Sequence, residues 1–117
     1  MAKKVLVVDD ESDVRKYLSV VLEQAGYEVL TASDGVEALD RARQQRPDLV
    51  ILDLQMPVAT GTDFYRKLIR DKVLGQVPII VVSALAGRHL AVREPAAVFD
   101  KPIDPDRFLE AVTKALN

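Results

Sequence analysis

Cysteine is absent from this chain, and histidine occurs only once, at His89. The absence of cysteine excludes disulfide bonds, thiol catalysis and cysteine-ligated metals. A lone histidine lacks the neighbours that a metal ligand or a phosphate donor needs, so we expect a solvated side chain on a short helix. Functions that depend on thiols or on clustered histidines are therefore excluded.

Long apolar runs and a strong charge imbalance are also missing. After Met1–Lys4 the chain enters an apolar run of four residues, which is too short for a signal peptide or a membrane span. Lysine and arginine number 16 against 18 acidic residues, which favours neither a nucleic-acid nor a membrane partner. Five basic residues lack the aromatic interleaving of a nucleic-acid site: Lys3, Lys4, Arg41, Arg43 and Arg46. With 117 residues, we expect one cytoplasmic domain that spans 1–117.

Five short apolar runs recur along the chain, and each is followed by a segment with helical spacing. Three of the runs are rich in Val, Ile and Leu without polar alternation, which favours strands covered on both faces of a parallel sheet. The predicted strands are Val5–Val8, Glu28–Ala32, Leu49–Asp53, Pro78–Ser83 and Ala97–Asp100. This alternation predicts an α/β fold, a doubly wound parallel sheet of five strands with helices on both faces.

The segments between the strands carry apolar stripes at helical spacing, with start and stop signals. The predicted buried faces are Val14, Leu18, Val21, Leu22 and Ala25 for the first helix, Phe64, Leu68 and Ile69 for the third, and Phe108, Leu109, Val112 and Leu116 for the last. Gly26 and Pro47 should end the first two helices. Asp34 with Glu37 is a capping box, and Asp104 should cap the last helix.

The ends of the predicted strands carry three acids, a hydroxyl and a lysine. These are Asp9 and Asp10, Asp53, Ser83 and Lys101. In a doubly wound sheet the ligand crevice lies outside the carboxyl ends of the strands, so we expect the five side chains to converge there.

Three carboxylates at one crevice repel each other, because two unit charges about 4 Å apart interact by roughly 4 kcal/mol at an effective dielectric near 20. Lys101 can offset one of them, and a divalent cation or proton uptake must offset the rest. Without histidine or cysteine at these strand ends zinc is disfavoured, and carboxylates with open positions for water suit Mg²⁺ better than Ca²⁺. A Mg²⁺ beside a carboxylate, a lysine and a hydroxyl predicts phosphoryl transfer.

Each of these side chains alone has an ordinary structural interpretation. An aspartate after a strand usually forms a turn or caps a helix, and a serine or lysine in a loop is normally solvated. The residues by themselves do not decide between Asp53 and Asp10 as the reacting acid.

Four motifs taken together resemble the signature set of the response-regulator receiver family, over nearly the whole chain. They are Asp9-Asp10 after Val-Leu-Val-Val, Asp53 within Leu52-Asp-Leu-Gln-Met-Pro57, Ser83-Ala84 after Ile-Ile-Val-Val, and Lys101-Pro102. The resemblance implies the flavodoxin-like fold of the chemotaxis regulators, with strand order 2-1-3-4-5. It also implies a two-component signalling role rather than a conventional enzyme.

The resemblance implies a set of metal ligands and a phosphoacceptor. Asp53 would take a phosphoryl group from a phosphohistidine of a sensor histidine kinase or a phosphotransfer protein, and signal to an output partner. Mg²⁺ would be held directly by Asp53 and Asp10, through water by Asp9, and by the backbone carbonyl of Gln55.

The resemblance gives roles to two further residues at the crevice. Lys101 would contact a phosphate oxygen, and the Ser83 hydroxyl would move toward the phosphoryl group and draw its loop along. The peptide bond between Lys101 and Pro102 resembles the family's cis bond.

Two departures from the family pattern concern the output of the domain. The family usually has Tyr or Phe three residues before the lysine, and this chain has Val98 there, with Phe99 expected on the opposite face of the strand. The stretch from Ser83 to Lys101 is also several residues shorter than usual, so we expect a short or irregular fourth helix. We expect that any output does not use the ordinary aromatic switch.

Two other functions compete with the phosphoacceptor. One is an interaction domain of receiver fold that works without phosphorylation, which the replaced aromatic and the shortened helix favour. The other is a flavodoxin-like cofactor carrier or an aspartate-based phosphatase. No Gly-x-Gly pattern follows the first strand, and 117 residues leave little room for a substrate pocket, which disfavours this alternative.

Overall fold

The computed structural model describes residues 2–53, 61–82, 95–99 and 103–117, with the backbone alone for 61–63. The strands are β1 (Lys4–Val8), β2 (Glu28–Ala32), β3 (Leu49–Leu52), β4 (Ile79–Val82) and β5 (Ala97–Phe99). The helices are α1 (Ser12–Gln24), α2 (Gly35–Gln45), α3 (Gly61–Arg70) and α4 (Pro105–Leu116), and a 3₁₀ turn spans Leu74–Gln76. Among the described residues, no helix combines the length and the apolarity needed to cross a membrane.

The five strands form one parallel sheet in the order β2-β1-β3-β4-β5. The predicted fold class and strand order are therefore confirmed. The strand order reverses between β1 and β3, whose last residues Val8 and Leu52 are partners in the register. The crevice of a doubly wound sheet lies at this reversal, outside the carboxyl ends of the two strands.

Alternate strand residues face two separate cores, because successive side chains in a strand point to opposite sides of the sheet. One core, covered by α2 and α3, includes Leu6, Val8, Val50, Leu52, Val81 and Phe64. The other core, covered by α1 and α4, includes Val5, Val7, Leu49, Ile51, Ile80 and Phe108. Burial on both faces explains why β1, β3 and β4 have continuous apolar sequences.

The predicted strand positions agree with the structure to within a residue at the described ends. β2 has the predicted bounds, β1 begins one residue earlier at Lys4, and Asp53 follows β3 instead of ending it. The predicted ends at Ser83 and Asp100 lie outside the described residues. The same holds for most of the segment that we expected to form a short or irregular helix.

Local hydrogen bonds and backbone conformation explain two of the predicted helix ends. The Asp34 carboxylate accepts from the Glu37 N–H at 2.8 Å and so caps α2. Glu37 in return accepts from the N–H of Ser33 at 2.7 Å, one residue before the position that a standard capping box uses. Gly26 follows α1 with a φ of +96°, a left-handed conformation that glycine adopts without a steric penalty.

Two residues assigned to buried helix faces are exposed instead. Ala25 lies just beyond the end of α1, where the stripe no longer meets the sheet. Ile69 is 47% exposed, because it follows Leu68 by one position and therefore points about 100° away from the α3 face that packs on the core.

Candidate functional site

The three acids predicted from the sequence lie together at the carboxyl ends of β1 and β3. The ladder continues one residue beyond each strand, since the Asp53 N–H donates to the Val8 carbonyl at 2.9 Å and the Asp9 N–H donates to the Ala32 carbonyl at 3.1 Å. These bonds fix the backbones of Asp9 and Asp53 side by side in the middle of the sheet. Asp10 follows at the start of the turn into α1.

The side chains of Asp9, Asp10 and Asp53 form one acidic cluster, which we call the acid site. Each contributes a carboxylate oxygen, and these oxygens all lie within 4.8 Å of one another. Asp9 is 1% exposed and Asp53 is 3% exposed, whereas Asp10 faces solvent. At this separation each pair of charges repels by roughly 3 to 4 kcal/mol at an effective dielectric near 20. Positive charge at the acid site, such as that of a bound cation, would offset this repulsion.

The turn between β1 and α1 is held by bonds to Asp9. Its Oδ1 accepts from the Glu11 N–H at 2.9 Å, and its main-chain carbonyl accepts from Nη1 of Arg15 at 2.7 Å. Arg15 reaches the carbonyl from the first turn of α1 and is half-buried. Sequence reasoning missed this residue, although a cation five residues after the second acid, one turn into a helix, is a signal that could have drawn attention to it.

The donor set of the acid site fits a hard divalent cation. It offers carboxylate oxygens only, with two buried acids on one side and the exposed Asp10 on the solvent side. Oxygens that share one octahedral Mg²⁺ lie about 3 to 4 Å apart, and the three carboxylate oxygens here all lie within 4.8 Å of one another. An open solvent side suits an ion that keeps several of its waters. Mg²⁺ therefore fits these residues better than zinc, which prefers nitrogen and sulfur ligands.

Three of the predicted site residues, Gln55, Ser83 and Lys101, lie outside the described residues, as do His89 and the bond from Lys101 to Pro102. The structure brings together the three acids from the predicted set. The roles of the other three residues remain predictions.

The two residues near the expected switch position face opposite sides of β5, as the sequence predicted. Val98 pairs in register with Val81 and packs against the core beneath α2 and α3. Phe99 packs on the other face, with its ring 5.9 Å from the ring of Phe108 at an angle of 72°. Phe99 therefore does not take the place of an aromatic side chain at position 98.

Comparison with known proteins gives consistent matches over the whole chain. The sequence profile of the response regulator receiver domain family matches residues 5–113. Protein Rrf1 of Nitratidesulfovibrio vulgaris is 36% identical over 116 residues, which cover 99% of this chain and 84% of that protein. The polar-differentiation response regulator DivK of Brucella anthropi is 36% identical over 120 residues, which cover 99% of this chain and 98% of the relative.

Solved structures give the same result for the fold. The chemotaxis protein CheY4 of Vibrio cholerae superposes with a TM-score of 0.90 at 34% identity, covering 99% of this chain and 100% of that one. A receiver domain protein from Clostridium thermocellum superposes with a TM-score of 0.87 at 30% identity, with 98% and 94% of the two chains covered. The five-stranded sheet and its reversal of strand order therefore belong to a fold that these proteins share.

Proposed function

This chain belongs to the response regulator receiver domain family, and from that premise we propose that it accepts a phosphoryl group on Asp53. Receiver domains are signalling proteins of two-component systems rather than conventional enzymes. The proposed donor is a phosphohistidine on a sensor histidine kinase or a phosphotransfer protein, and the proposed acceptor of the signal is an output protein or domain. We further propose that 1–117 is a single receiver domain that works in the cytoplasm.

The position of Asp53 supports its role as the phosphoacceptor. It follows β3 in the middle of the sheet, its N–H is fixed to the Val8 carbonyl at 2.9 Å, and its side chain is 3% exposed. A nucleophile on a rigid backbone loses little freedom when it meets the phosphohistidine. A carboxylate oxygen of Asp53 would attack phosphorus, the phosphorus–nitrogen bond would break, and the leaving histidine would take up a proton from solvent.

The other two acids are proposed to hold Mg²⁺ at the open side of the crevice. The exposed Asp10 suits a direct ligand, whereas Asp9 has one oxygen engaged by the Glu11 N–H and suits contact through water. The ion supplies positive charge that offsets the carboxylates and the charge on the transferring phosphoryl oxygens. Gln55, through its backbone carbonyl, is proposed as a further ligand by resemblance to the family.

Lys101 and Ser83 complete the proposal. Lys101 would bind a phosphate oxygen and so distinguish the phosphorylated from the unmodified site. The Ser83 hydroxyl would donate to the phosphoryl group and move the loop after β4, since that strand lies beside β3. These two roles rest on the matching motifs in the sequence.

A single observation carries the proposal: three carboxylates meet within 4.8 Å, and two of them are buried. The test is the intact mass of the protein after incubation with acetyl phosphate, with and without Mg²⁺. Wild type should gain one phosphoryl group only with Mg²⁺, and Asp53→Asn should gain none.

A matched control separates the acid site from acids in general. Asp40→Asn removes an exposed carboxylate from α2 and should be phosphorylated like wild type. A phosphoryl group on Asp53→Asn, or no mass gain on wild type, would contradict the proposal.

A second candidate function has one observation in its favour. Val98 is half-buried on β5, in contact with the core beneath α2 and α3, at the position of the family's switch aromatic. Valine lacks the aromatic ring that Tyr or Phe would place at this position. This residue favours an interaction domain with an atypical readout, or one that works without phosphorylation. A wild-type protein that folds, yet gains no phosphoryl mass, would support this candidate.

A further inference from the structure

Arg15 joins the acid site to the first turn of α1. Its Nη1 donates to the main-chain carbonyl of Asp9 at 2.7 Å, and its backbone N–H donates to the Glu11 carbonyl at 3.1 Å. The side chain is half-buried, so this bond is partly shielded from competing water. A bond of this length from a guanidinium belongs to the short, charge-assisted class.

Hydrogen bonds hold Asp9 from three directions. Its N–H donates to the Ala32 carbonyl at 3.1 Å, its Oδ1 accepts from the Glu11 N–H at 2.9 Å, and its carbonyl accepts from Arg15. The bond to Ala32 belongs to the sheet, and the bond from Glu11 closes a local turn. The bond from Arg15 links the Asp9 carbonyl to α1. Asp10 lies between Asp9 and Glu11, and its backbone is therefore constrained by the same bonds.

The guanidinium also brings permanent positive charge to this turn. Arginine stays protonated throughout the pH range in which proteins fold. The carbonyl that it binds belongs to a residue whose carboxylate lies within 4.8 Å of two others. Arg15 therefore brings this charge to the turn that carries Asp9 and Asp10.

We propose that Arg15 is a positioning residue of the acid site, which holds the turn so that Asp9 and Asp10 face Asp53 in an arrangement ready for Mg²⁺. This inference rests on the proposed function, since it takes the acid site to be a metal site. Partners outside the first coordination shell orient metal ligands, and their loss typically weakens metal binding by about 10- to 100-fold. Arg15 holds the backbone of one acid rather than a carboxylate oxygen, so the lower end of that range is expected.

Two substitutions test the role of Arg15. Arg15→Met keeps an unbranched apolar stem and removes the charge and the donors, whereas Arg15→Lys keeps the charge and a donor. Mg²⁺ affinity is measured by calorimetry and by the rise of the unfolding temperature with Mg²⁺ concentration, and neither measurement depends on phosphorylation. Arg15→Met should bind Mg²⁺ about 10-fold more weakly than wild type, and Arg15→Lys should fall between the two.

A matched control removes a cation of the same type elsewhere. Arg41 is exposed on α2, and Arg41→Met should leave Mg²⁺ affinity unchanged. If Arg15→Met bound Mg²⁺ as tightly as wild type or more tightly, while its unfolding temperature fell equally with and without Mg²⁺, Arg15 would be a residue of helix packing only. Should that variant not fold, Arg15→Gln, which is neutral and too short to reach the carbonyl, carries the same expectation.

The outcome for wild type separates this inference from the proposed function. A wild-type protein indifferent to Mg²⁺ would overturn the metal site, and the role of Arg15 with it. If wild type binds Mg²⁺ and Arg15→Met binds it with equal affinity, the role of Arg15 is overturned and the metal site is not.

Discussion

Asp34 and Asp71 accept backbone hydrogen bonds at a helix start and at a turn, as Asp9 also does, but Asp9 in addition lies in a cluster with Asp10 and Asp53. Asp34 accepts one backbone hydrogen bond at 2.8 Å, and Asp71 accepts two, at 2.9 and 3.0 Å. The three acids of the acid site lie within 4.8 Å of one another at the reversal of the sheet. The first arrangement caps a helix or a turn, and the second places charge against charge.

Burial separates the two groups as well. Among the residues that the structure describes, the buried polar or charged side chains are Asp9 and Asp53, at 1% and 3% exposure. Capping acids stay at the surface, where water and backbone dipoles stabilise the charge. Buried and crowded carboxylates reduce the stability of the fold unless a ligand compensates them. A cluster of this kind is therefore better explained by function than by stability.

The largest expected effect comes from removing the proposed direct ligand at the acid site, Asp10. Asp10→Ala should lower the rate of Mg²⁺-dependent phosphorylation by more than about 100-fold, because losing an oxygen that touches the ion weakens metal binding more than losing a group that only orients a ligand. The rate is measured by intact mass against time with acetyl phosphate over a range of Mg²⁺ concentrations. Asp34→Ala, which removes a capping acid, should keep the wild-type rate as long as the protein is folded. If Asp10→Ala and Asp34→Ala lost equally in phosphorylation rate, the acids of the acid site and the capping acids would not differ in function.

The second prediction is a smaller effect: removing a charge from the acid site should stabilise the metal-free protein. Asp9→Asn keeps an oxygen that can accept from Glu11 and removes one of the crowded charges. The free energy of unfolding without Mg²⁺ should rise by about 1 to 3 kcal/mol, because the substitution relieves part of the repulsion, which is roughly 3 to 4 kcal/mol for each close pair of charges at an effective dielectric near 20. Urea denaturation measures the change, and saturating Mg²⁺ should reduce or reverse it, because wild type then binds the ion more tightly than the variant.

The same substitution at a cap provides the comparison for this prediction. Asp34→Asn should change the free energy of unfolding by less than about 0.5 kcal/mol, since Asn and Asp are nearly equivalent at that position. If Asp9→Asn were as neutral as Asp34→Asn, the acids of the acid site would already be compensated in the metal-free protein.

Much of the fold could be predicted because the local signals and the tertiary packing agree. β2 had the bounds that its sequence indicated, and α2 begins at the predicted cap, Asp34. The errors occur where the apolar pattern does not determine the direction in which a side chain points from its helix. Ile69 was assigned to the buried face from its apolarity, although a shift of one residue rotates a side chain about 100° around the helix.

The acid site was predictable for a topological reason. Asp9 and Asp53 are 44 residues apart in sequence, yet parallel strands bring their carboxyl ends to one edge of the sheet. Arg15 was missed because its contact goes to a main-chain carbonyl, so its spacing five residues after Asp10 is a signal without a partner side chain. A contact between two side chains leaves a residue type at both ends, whereas a contact to the backbone leaves one at a single end.

The smallest expected effect concerns a capping acid, Asp71, at the turn after α3. Hydrogen bonds from the N–H groups of Leu74 and Val73, with the nearby charges of Arg43 and Arg46, outweigh desolvation and hold the pKa of Asp71 below its ordinary value of 3.8. A lowered pKa in the folded state means that the stabilisation is present above the ordinary value and is lost as the pH falls through the folded one. In urea denaturation, the advantage of wild type over Asp71→Asn should therefore be constant near neutral pH and shrink below about pH 4. If the difference in free energy of unfolding between wild type and Asp71→Asn stayed constant down to low pH, the negative charge of Asp71 would contribute nothing to stability. The crowding of the acids would then be the remaining difference between the capping acids and the acid site.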